Sequence, residues 1–203
     1  MQKYQKTMSD NSQHTVTEQH PLKPFLPEWA KILMLGSFPP GRERWSMDFF
    51  YPNFQNDMWR IWGLMCFGDK DYFVIPGTKR FDYNKIVDLC QQRGIAIFDT
   101  ATAVRRLNGN ASDKFLEVVE PTDLGALLAQ IPQCKAIVTT GEKATDVIVE
   151  RFATAKPRIG TSVRICIDGR EFDFYRMPSS SRAYPLALDK KADAYKALLP
   201  LLK

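Results

Sequence analysis

Short apolar runs alternate along this chain with longer stretches of helical periodicity, and this alternation limits the possible folds more than any other feature of the sequence. The apolar runs at 31–36, 94–98 and 136–141 have the length of strands, and they are continuous rather than alternating apolar and polar. Such runs are typical of strands that are covered on both faces. The helical patterns fall at 56–67, 83–93, 121–131, 142–152 and 189–202. Strands alternating with helices predict an α/β fold with a largely parallel sheet.

The length of 203 residues, 44% of them apolar, is sufficient for one well-buried core, and we expect a single domain. The first 27 residues are rich in Gln, Ser, Thr and His and show no periodicity. They predict a flexible N-terminal tail over 1–27, followed by a folded domain over 28–203. Near the other end, Asp168 and Gly169 separate two runs of strand-forming residues and predict a hairpin turn.

Several classes of protein are disfavoured by what the sequence lacks. The four cysteines are 24, 44 and 32 residues apart, and no C-x-x-C pair is present, so neither a zinc ribbon nor a redox motif is indicated. No apolar run reaches the length of about 18 residues that a membrane helix needs, and no signal-peptide pattern is present. We therefore expect a cytoplasmic protein with no metal and no membrane association.

The formal net charge of the chain is +5, and residues 151–182 carry seven Lys or Arg residues against three Asp or Glu residues. A local positive excess can attract a polyanion such as a nucleic acid. Taken alone, an excess of this size is more typical of an ordinary solvated surface. It therefore supports a nucleic-acid interpretation without requiring one.

In parallel sheets, ligands bind outside the carboxyl ends of the strands, and this rule selects four segments. These segments are 36–56, 99–113, 141–145 and 177–184. The first begins with Gly36-Ser-Phe-Pro-Pro-Gly41, where a glycine lets the backbone approach a ligand closely. It lacks the Gly-Lys-Ser/Thr of a P-loop and is not a dinucleotide-binding fingerprint. By itself, a rigid proline-rich turn is the simpler interpretation.

Aromatic and amide side chains are dense over residues 49–60. Aromatic rings can stack on a nucleic-acid base, and amides can hydrogen-bond its Watson–Crick edge. The alternative is an aromatic core in which Asn56 caps the following helix. We expect Trp59 and Trp62 to belong to the core, whereas Tyr51 and Asn56 suit either interpretation.

Three consecutive serines, Ser179, Ser180 and Ser181, follow the last predicted strand and precede Arg182. Hydroxyl groups and free backbone amides can hold a phosphate, and an arginine can reach a nucleic-acid backbone or groove. A binding loop for phosphate is therefore one interpretation of this segment.

A serine nucleophile is the other interpretation of the same loop. It needs a base, usually histidine, within hydrogen-bond reach. The chain has only two histidines, His14 and His20, and both fall in the predicted tail. The sequence therefore argues against acyl transfer by a Ser-His pair.

Several short motifs follow one another along the chain. They are Gly-Ser-x-Pro at 36–39, the aromatic run leading to Asn-x-x-Trp at 56–59, the strand at 94–99 followed by Arg105-Arg106 and Ser112-Asp113, Thr140-Gly141 with Ala144, and Pro-Ser-Ser-Ser at 178–181. Taken in this order, they resemble the uracil-DNA glycosylase superfamily, most closely its hypoxanthine-DNA glycosylase branch, next to the mismatch-specific uracil glycosylases. The resemblance covers roughly 33–185, and the order of the motifs makes it more specific than any one of them.

The resemblance implies a three-layer α/β/α sandwich around a central, mainly parallel four-stranded sheet. It also implies that a nucleotide flipped out of DNA occupies a cleft at the strand ends. Gly36, Ser37, Phe38 and Pro39 would line the base pocket, and Tyr51 would stack on the base.

The same resemblance assigns roles to the later residues. Asn56 matches the asparagine of the Asn-x-x-Trp motif and would be catalytic. Ser179, Ser180 and Ser181 match the segment that contacts the DNA backbone. Arg182 lies where a residue enters the space that the base has left.

The sequence departs from related branches at the third position of the first motif, where an Asp or Asn positions the attacking water. Phe38 stands there and cannot do this. Asn56 would then position the water, or Asp99 or Asp48 would. The remaining possibility is that activity is weak or lost.

The resemblance implies a monofunctional DNA glycosylase, a hydrolase that removes uracil, hypoxanthine or xanthine in base excision repair. Such an enzyme needs no cofactor and no metal, and we expect a monomer that binds damaged or mismatched duplex DNA or single strands. One alternative is a DNA-binding member of the superfamily that has lost catalysis, motivated by Phe38. A second is an enzyme that acts on free nucleosides and needs no basic surface.

Overall fold

The computed structural model describes residues 16–107 and 115–203, and the predicted alternation of strands and helices is present in them. Predictions for residues 1–15 and for Ser112-Asp113 lie outside the described residues. The strands are β1 (Thr17–Gln19), β2 (Ile32–Gly36), β3 (Ile95–Asp99), β4 (Ala101–Arg106), β5 (Leu116–Pro121), β6 (Ala136–Thr140), β7 (Thr161–Ile167) and β8 (Arg170–Met177). The α-helices are α1 (Met58–Phe67), α2 (Tyr83–Arg93), α3 (Leu124–Gln130), α4 (Glu142–Phe152) and α5 (Leu188–Tyr195).

The main sheet has five strands in the order β3-β2-β6-β8-β7, which is one strand more than the four that were expected. The first four strands of this order pair in parallel, as predicted, and β7 pairs antiparallel with β8. The extra strand is a product of the predicted hairpin. Asp168 and Gly169 have φ angles of 48° and 77°. Two positive φ angles in succession give the tight turn that leads the chain from β7 into the adjacent antiparallel strand β8.

The core lies on both faces of the main sheet. Every residue of β2, β3 and β6 is buried, as continuous apolar strands require when both faces are covered. On α1, Trp59 is 1% exposed and Trp62 is fully buried, which confirms that both belong to the core. The predicted helix over 189–202 is α5 followed by a 3-10 helix, Lys196–Leu202, which contains Pro200. Among the described residues no helix is long and apolar enough to cross a membrane.

A second, antiparallel sheet of three strands, β1-β4-β5, was not predicted. Its last residue, Pro121, falls in the helix predicted over 121–131. In the structure Pro121 ends β5, and α3 begins later because the Asp123 side chain accepts a hydrogen bond from Ala126 N. Such a side-chain cap satisfies one of the free N–H groups at a helix start.

The predicted tail over 1–27 is wrong for its second half, which belongs to the folded domain. β1 pairs antiparallel with β4, and His20 N donates to Thr102 O at 2.8 Å. Phe25 and Ile97 exchange two backbone hydrogen bonds of 3.0 and 2.9 Å. The sequence did not predict this strand, because β1 is short and polar and has no apolar periodicity. Backbone hydrogen bonds to β4 hold it in the sheet.

An ion cluster built on the buried pair of Asp57 and Lys191 joins α1, the serine run and α5. The Asp57 carboxylate, just before α1, accepts from Lys191 Nζ at 3.2 Å and from Arg182 Nε at 2.9 Å. Lys191, which is 1% exposed, also donates to Ser181 O at 2.8 Å. A buried charge needs such partners, so this cluster fixes the serine loop against the start of α1.

We expect Lys191→Met to lower the free energy of unfolding by about 3 kcal/mol, because it removes one partner of the buried Asp57 carboxylate and one of the two donors to Ser181 O. Chemical denaturation monitored by circular dichroism measures the change. Lys190→Met is the matched control, since Lys190 is exposed on the same helix. Equal stability of the two variants would show that the cluster does not hold the loop.

Candidate active site

A cleft of about 780 Å³ opens at the carboxyl ends of the parallel strands. Gly36, Asp99, Thr140 and Met177 are the last residues of their strands, and all four line it. The register explains this, because Gly36 pairs with Asp99 and Thr140 pairs with Met177. The strand ends therefore form one level edge beneath the cleft, where the topology of a parallel sheet places a ligand.

Gly36 brings the backbone of β2 against two functional side chains. A Cβ atom added to Gly36 would overlap Asp99 Oδ1 and would lie 3.3 Å from Tyr51 Oη. Any larger residue at this position would therefore have to displace the Asp99 carboxylate. The Asp99 carboxylate and the Tyr51 hydroxyl consequently lie together at the bottom of the cleft.

His20, which the sequence predicted to lie in the tail, contacts the cleft residue Asp99. Its Nε2 lies 2.9 Å from Asp99 Oδ2, and its side chain is only 3% exposed. The ring packs against Phe98, at 4.6 Å between centroids, and against Phe38, at 5.1 Å. No local signal could have found this contact, because 79 residues separate the two partners and His20 belongs to a segment without apolar periodicity.

Phe38 faces the small sheet rather than solvent. It is 8% exposed and packs with Ala101, Val104 and Leu116. The next residue, Pro39, accepts a hydrogen bond of 2.6 Å from the Arg106 guanidinium through its carbonyl oxygen. Both residues line the cleft with Gly36 and Ser37, so the structure brings the four residues of the first motif together there.

Tyr51 is held firmly at the wall of the cleft. Its Oη lies 2.8 Å from Thr140 Oγ1, and its ring meets Trp59 edge-on at 6.2 Å. The residue has a φ of 50°, in the left-handed region that a bulky side chain rarely adopts. Such a backbone conformation persists only where surrounding contacts enforce it.

Asn56 lies one residue before Asp57, which is the N-cap of α1. Its Oδ1 accepts a hydrogen bond of 2.9 Å from Met58 N, so the side chain satisfies one free N–H group at the start of the helix without being its N-cap. It also lines the cleft. With Oδ1 engaged, the amide group Nδ2 is the part of the side chain that remains to meet a ligand.

Arg60 supports the backbone below Asn56. Its guanidinium donates to Phe54 O at 2.8 Å and to Asn56 O at 3.3 Å. Burial lowers the pKa of Arg60, and the positive charge of Arg182 lowers it further.

Ser179, Ser180 and Ser181 line the opposite side of the cleft. Ser180 O accepts from Asp57 N at 2.8 Å, which places the loop beside α1. Ser179 lies against Gly141, which has a φ of 113°. The serine run and the first motif therefore face the same space.

Two of the candidate residues lie outside the cleft lining. Asp48 is on the exposed surface, paired with Arg42 at 2.6 Å, so it does not share the cleft with Asn56 and Asp99. Arg182 is tied to Asp57 through Nε, and its side chain is about half exposed.

Much of the positive excess predicted near the end of the chain is paired with carboxylates. Glu142 forms salt bridges with both Lys156 and Arg176. Arg182 pairs with Asp57 at 2.9 Å. The surface is accordingly less basic than the residue count indicates.

No protein-family model and no curated protein matches this chain in sequence. Its structure is similar to the solution structure of a protein from Methanosarcina acetivorans described as a "putative Uracil DNA glycosylase". The two chains share 20% of their residues, the TM-score is 0.60, and the match covers 92% of this chain and 99% of the other. Nearly the whole of this chain therefore has the fold of that protein.

Proposed function

We propose that this chain is a DNA glycosylase that hydrolyses the N-glycosidic bond of a deaminated base flipped into the cleft. The observation that carries the proposal is the convergence of Asn56, Asp99 and Tyr51 on one cleft floored by Gly36. An aromatic wall, an amide and a carboxylate are the groups needed to stack a base, bind its edge and hold water. The fold shared with the M. acetivorans protein supports the same conclusion.

Tyr51 stacks on the flipped base in this proposal. Its contacts with Thr140 and Trp59 fix the ring before any ligand arrives, so little side-chain freedom is lost on binding. The backbone groups of Gly36 to Pro39 then meet the edge of the base. Because Gly36 has no side chain, the base can approach the end of β2 closely.

Asp99 holds the attacking water and Asn56 binds the base or orients that water. Cleavage builds positive charge on the sugar, and a carboxylate in a dry cleft stabilises that charge strongly. Asp99 is 6% exposed and its Oδ1 faces Gly36 at the cleft floor. Asn56 cannot accept a proton near neutral pH, so its amide serves as a hydrogen-bond donor. This arrangement supplies the polar group that Phe38 lacks.

The serine loop binds the DNA backbone on either side of the flipped nucleotide. Ser179, Ser180 and Ser181 line the same cleft, and serine hydroxyl groups can donate hydrogen bonds to phosphate oxygens. Lys143, in the first turn of α4, also lines the cleft. Arg182 keeps Nε on Asp57 and uses its terminal nitrogens to contact DNA. The enzyme acts as a monomer in base excision repair and needs no metal or cofactor.

Two substitutions test the catalytic pair. We expect Asn56→Ala and Asp99→Asn each to slow excision by about 10²-fold or more, because each removes a preorganised group from the reacting centre. The measurement is single-turnover strand scission after alkali, on duplexes that contain one uracil, hypoxanthine or xanthine.

Asp48→Asn is the matched control for this experiment. It makes the same chemical change on an exposed carboxylate outside the cleft, and we expect the wild-type rate. Full activity of Asp99→Asn would contradict the role of that carboxylate. Tight DNA binding with no cleavage by the wild-type chain would instead favour the inactive DNA-binding member.

Gly36→Ala tests the crowded floor of the cleft. The new methyl group would displace the Asp99 carboxylate, and a shift of about 1 Å at a reacting group can cost about 10²-fold in rate. Gly41→Ala is the control, since a Cβ there meets only the flexible Glu43 carboxylate. If both variants removed the base at the same rate, with thermal unfolding unchanged, the close approach of the Asp99 carboxylate to Gly36 would play no part in catalysis.

A further inference from the structure

We propose that His20 is a positioning residue for the reaction, one that holds the Asp99 carboxylate with Oδ1 turned toward the cleft. The inference rests on the proposed function, and it concerns a residue from the N-terminal segment. Three observations carry it: the contact between the two side chains, the way in which His20 is itself fixed, and the exclusion of water around the pair.

The contact divides the two oxygens of Asp99 between different tasks. Oδ2 accepts a hydrogen bond from His20 Nε2 at 2.9 Å, and Oδ1 faces Gly36 at the cleft floor. A carboxylate held at one oxygen cannot rotate freely about its terminal bond. The oxygen that meets the water is therefore fixed in place before the substrate binds.

The contact can form in either protonation state of the imidazole. In the neutral ring with hydrogen on Nε2, Nδ1 accepts from Leu22 N, which lies 3.1 Å away. In the imidazolium, Nδ1 donates to Leu22 O, which lies 2.9 Å away. Nε2 donates to Asp99 in both cases, so the backbone of the segment supports the pair whichever form is present.

The segment that carries His20 is itself bound to the site. Arg106 joins Glu18, two residues before His20, to Pro39 O in the first motif, with 3.0 Å to the Glu18 carboxylate and 2.6 Å to the carbonyl oxygen. His20 N donates to Thr102 O at 2.8 Å. The backbone at His20 is consequently held by β4 directly and by the first motif through Arg106.

Phe38 shields the His20–Asp99 pair from water. Its ring meets the imidazole edge-on at 5.1 Å, while Phe98 packs on the ring at 4.6 Å. The side chains of His20 and Asp99 are 3% and 8% exposed. A hydrogen bond to a carboxylate is stronger in such surroundings than in water. The apolar residue that replaces a polar one in the first motif thus contributes by covering this contact.

The step that the pair supports is hydrolysis at the sugar. The water oxygen forms a bond to C1′, and the bond from C1′ to the base nitrogen breaks with its electron pair leaving on the base. Asp99 Oδ1 accepts the proton that the water loses, and this proton passes to the solvent or to the departing base. His20 touches neither water nor substrate, and acts only through the orientation of Asp99.

The test compares His20→Leu with His20→Gln. Leucine removes the donor, whereas the glutamine amide reaches the same place as Nε2 and restores it. On whichever of the uracil, hypoxanthine and xanthine duplexes the wild-type chain cleaves, we expect single-turnover excision to fall about 10²-fold in His20→Leu and less than about tenfold in His20→Gln. The dissociation constant, measured on the same duplex carrying an uncleavable 2′-fluoro nucleotide, should stay within about threefold.

Two further variants separate positioning from packing. Gln19→Leu makes a similar apolar change at an exposed position of β1, and it should excise at the wild-type rate. In an Asp99→Asn background, His20→Leu should add no further loss, because the carboxylate that it positions is gone. If His20→Leu does not fold, His20→Asn replaces it, since the shorter amide cannot reach Asp99.

The outcomes distinguish the inference from the function on which it rests. A wild-type chain that excises none of the three bases overturns the proposed function and this inference with it. An active wild-type chain with His20→Leu at the wild-type rate overturns the inference alone. Equal losses in His20→Leu and His20→Gln, or an undiminished loss in the Asp99→Asn background, also overturn it and assign His20 a packing role.

Discussion

The parallel register of β2 with β3 and β6 is the constraint on which the rest of the site depends. It brings the ends of three strands, Gly36, Asp99 and Thr140, to one edge of the sheet. The absence of a side chain at Gly36 leaves room for the Asp99 carboxylate, and Thr140 orients the Tyr51 hydroxyl. A shift of register by one residue would turn these side chains to the other face of the sheet.

Two separate sets of contacts then complete the cleft beside this edge. The buried Asp57–Lys191 pair, together with the half-exposed Arg182, holds the serine loop against α1. On the other side, the N-terminal segment adds a strand to the small sheet and inserts His20 beside Asp99. Both sets of contacts involve charged or polar groups that are largely removed from water, where leaving such a group unpaired costs free energy. The geometry of the cleft is therefore set by polar contacts built on an apolar sheet.

The parts of the fold that could be predicted from the sequence are those that local patterns determine. The three central strands follow from continuous apolar runs, and the hairpin follows from Asp168-Gly169, whose positive φ angles make a tight turn. Gly94 ends α2 with a φ of 69°, as a glycine just past a helix predicts. In each case a few neighbouring residues contain the whole signal.

The small sheet and the His20–Asp99 contact could not be predicted in this way. The three polar residues of β1 have no periodicity, and they become a strand only because β4 offers a free edge. The partners of His20 and Arg182 lie 79 and 125 residues away in sequence. Such contacts are properties of the assembled fold. The resemblance between motifs identified the cleft-lining residues of the first motif, but it contained nothing about the N-terminal segment.

Removal of a deaminated base from DNA by hydrolysis is the activity that we propose for the cleft. It is tested by mass spectrometry of the small molecules released when the wild-type chain is incubated with duplexes that carry one uracil, hypoxanthine or xanthine. We expect at least one of these duplexes to yield its free base and an abasic site, while an undamaged duplex yields neither. Release of no base from any of the three, by a folded chain that binds the DNA, would contradict this proposal.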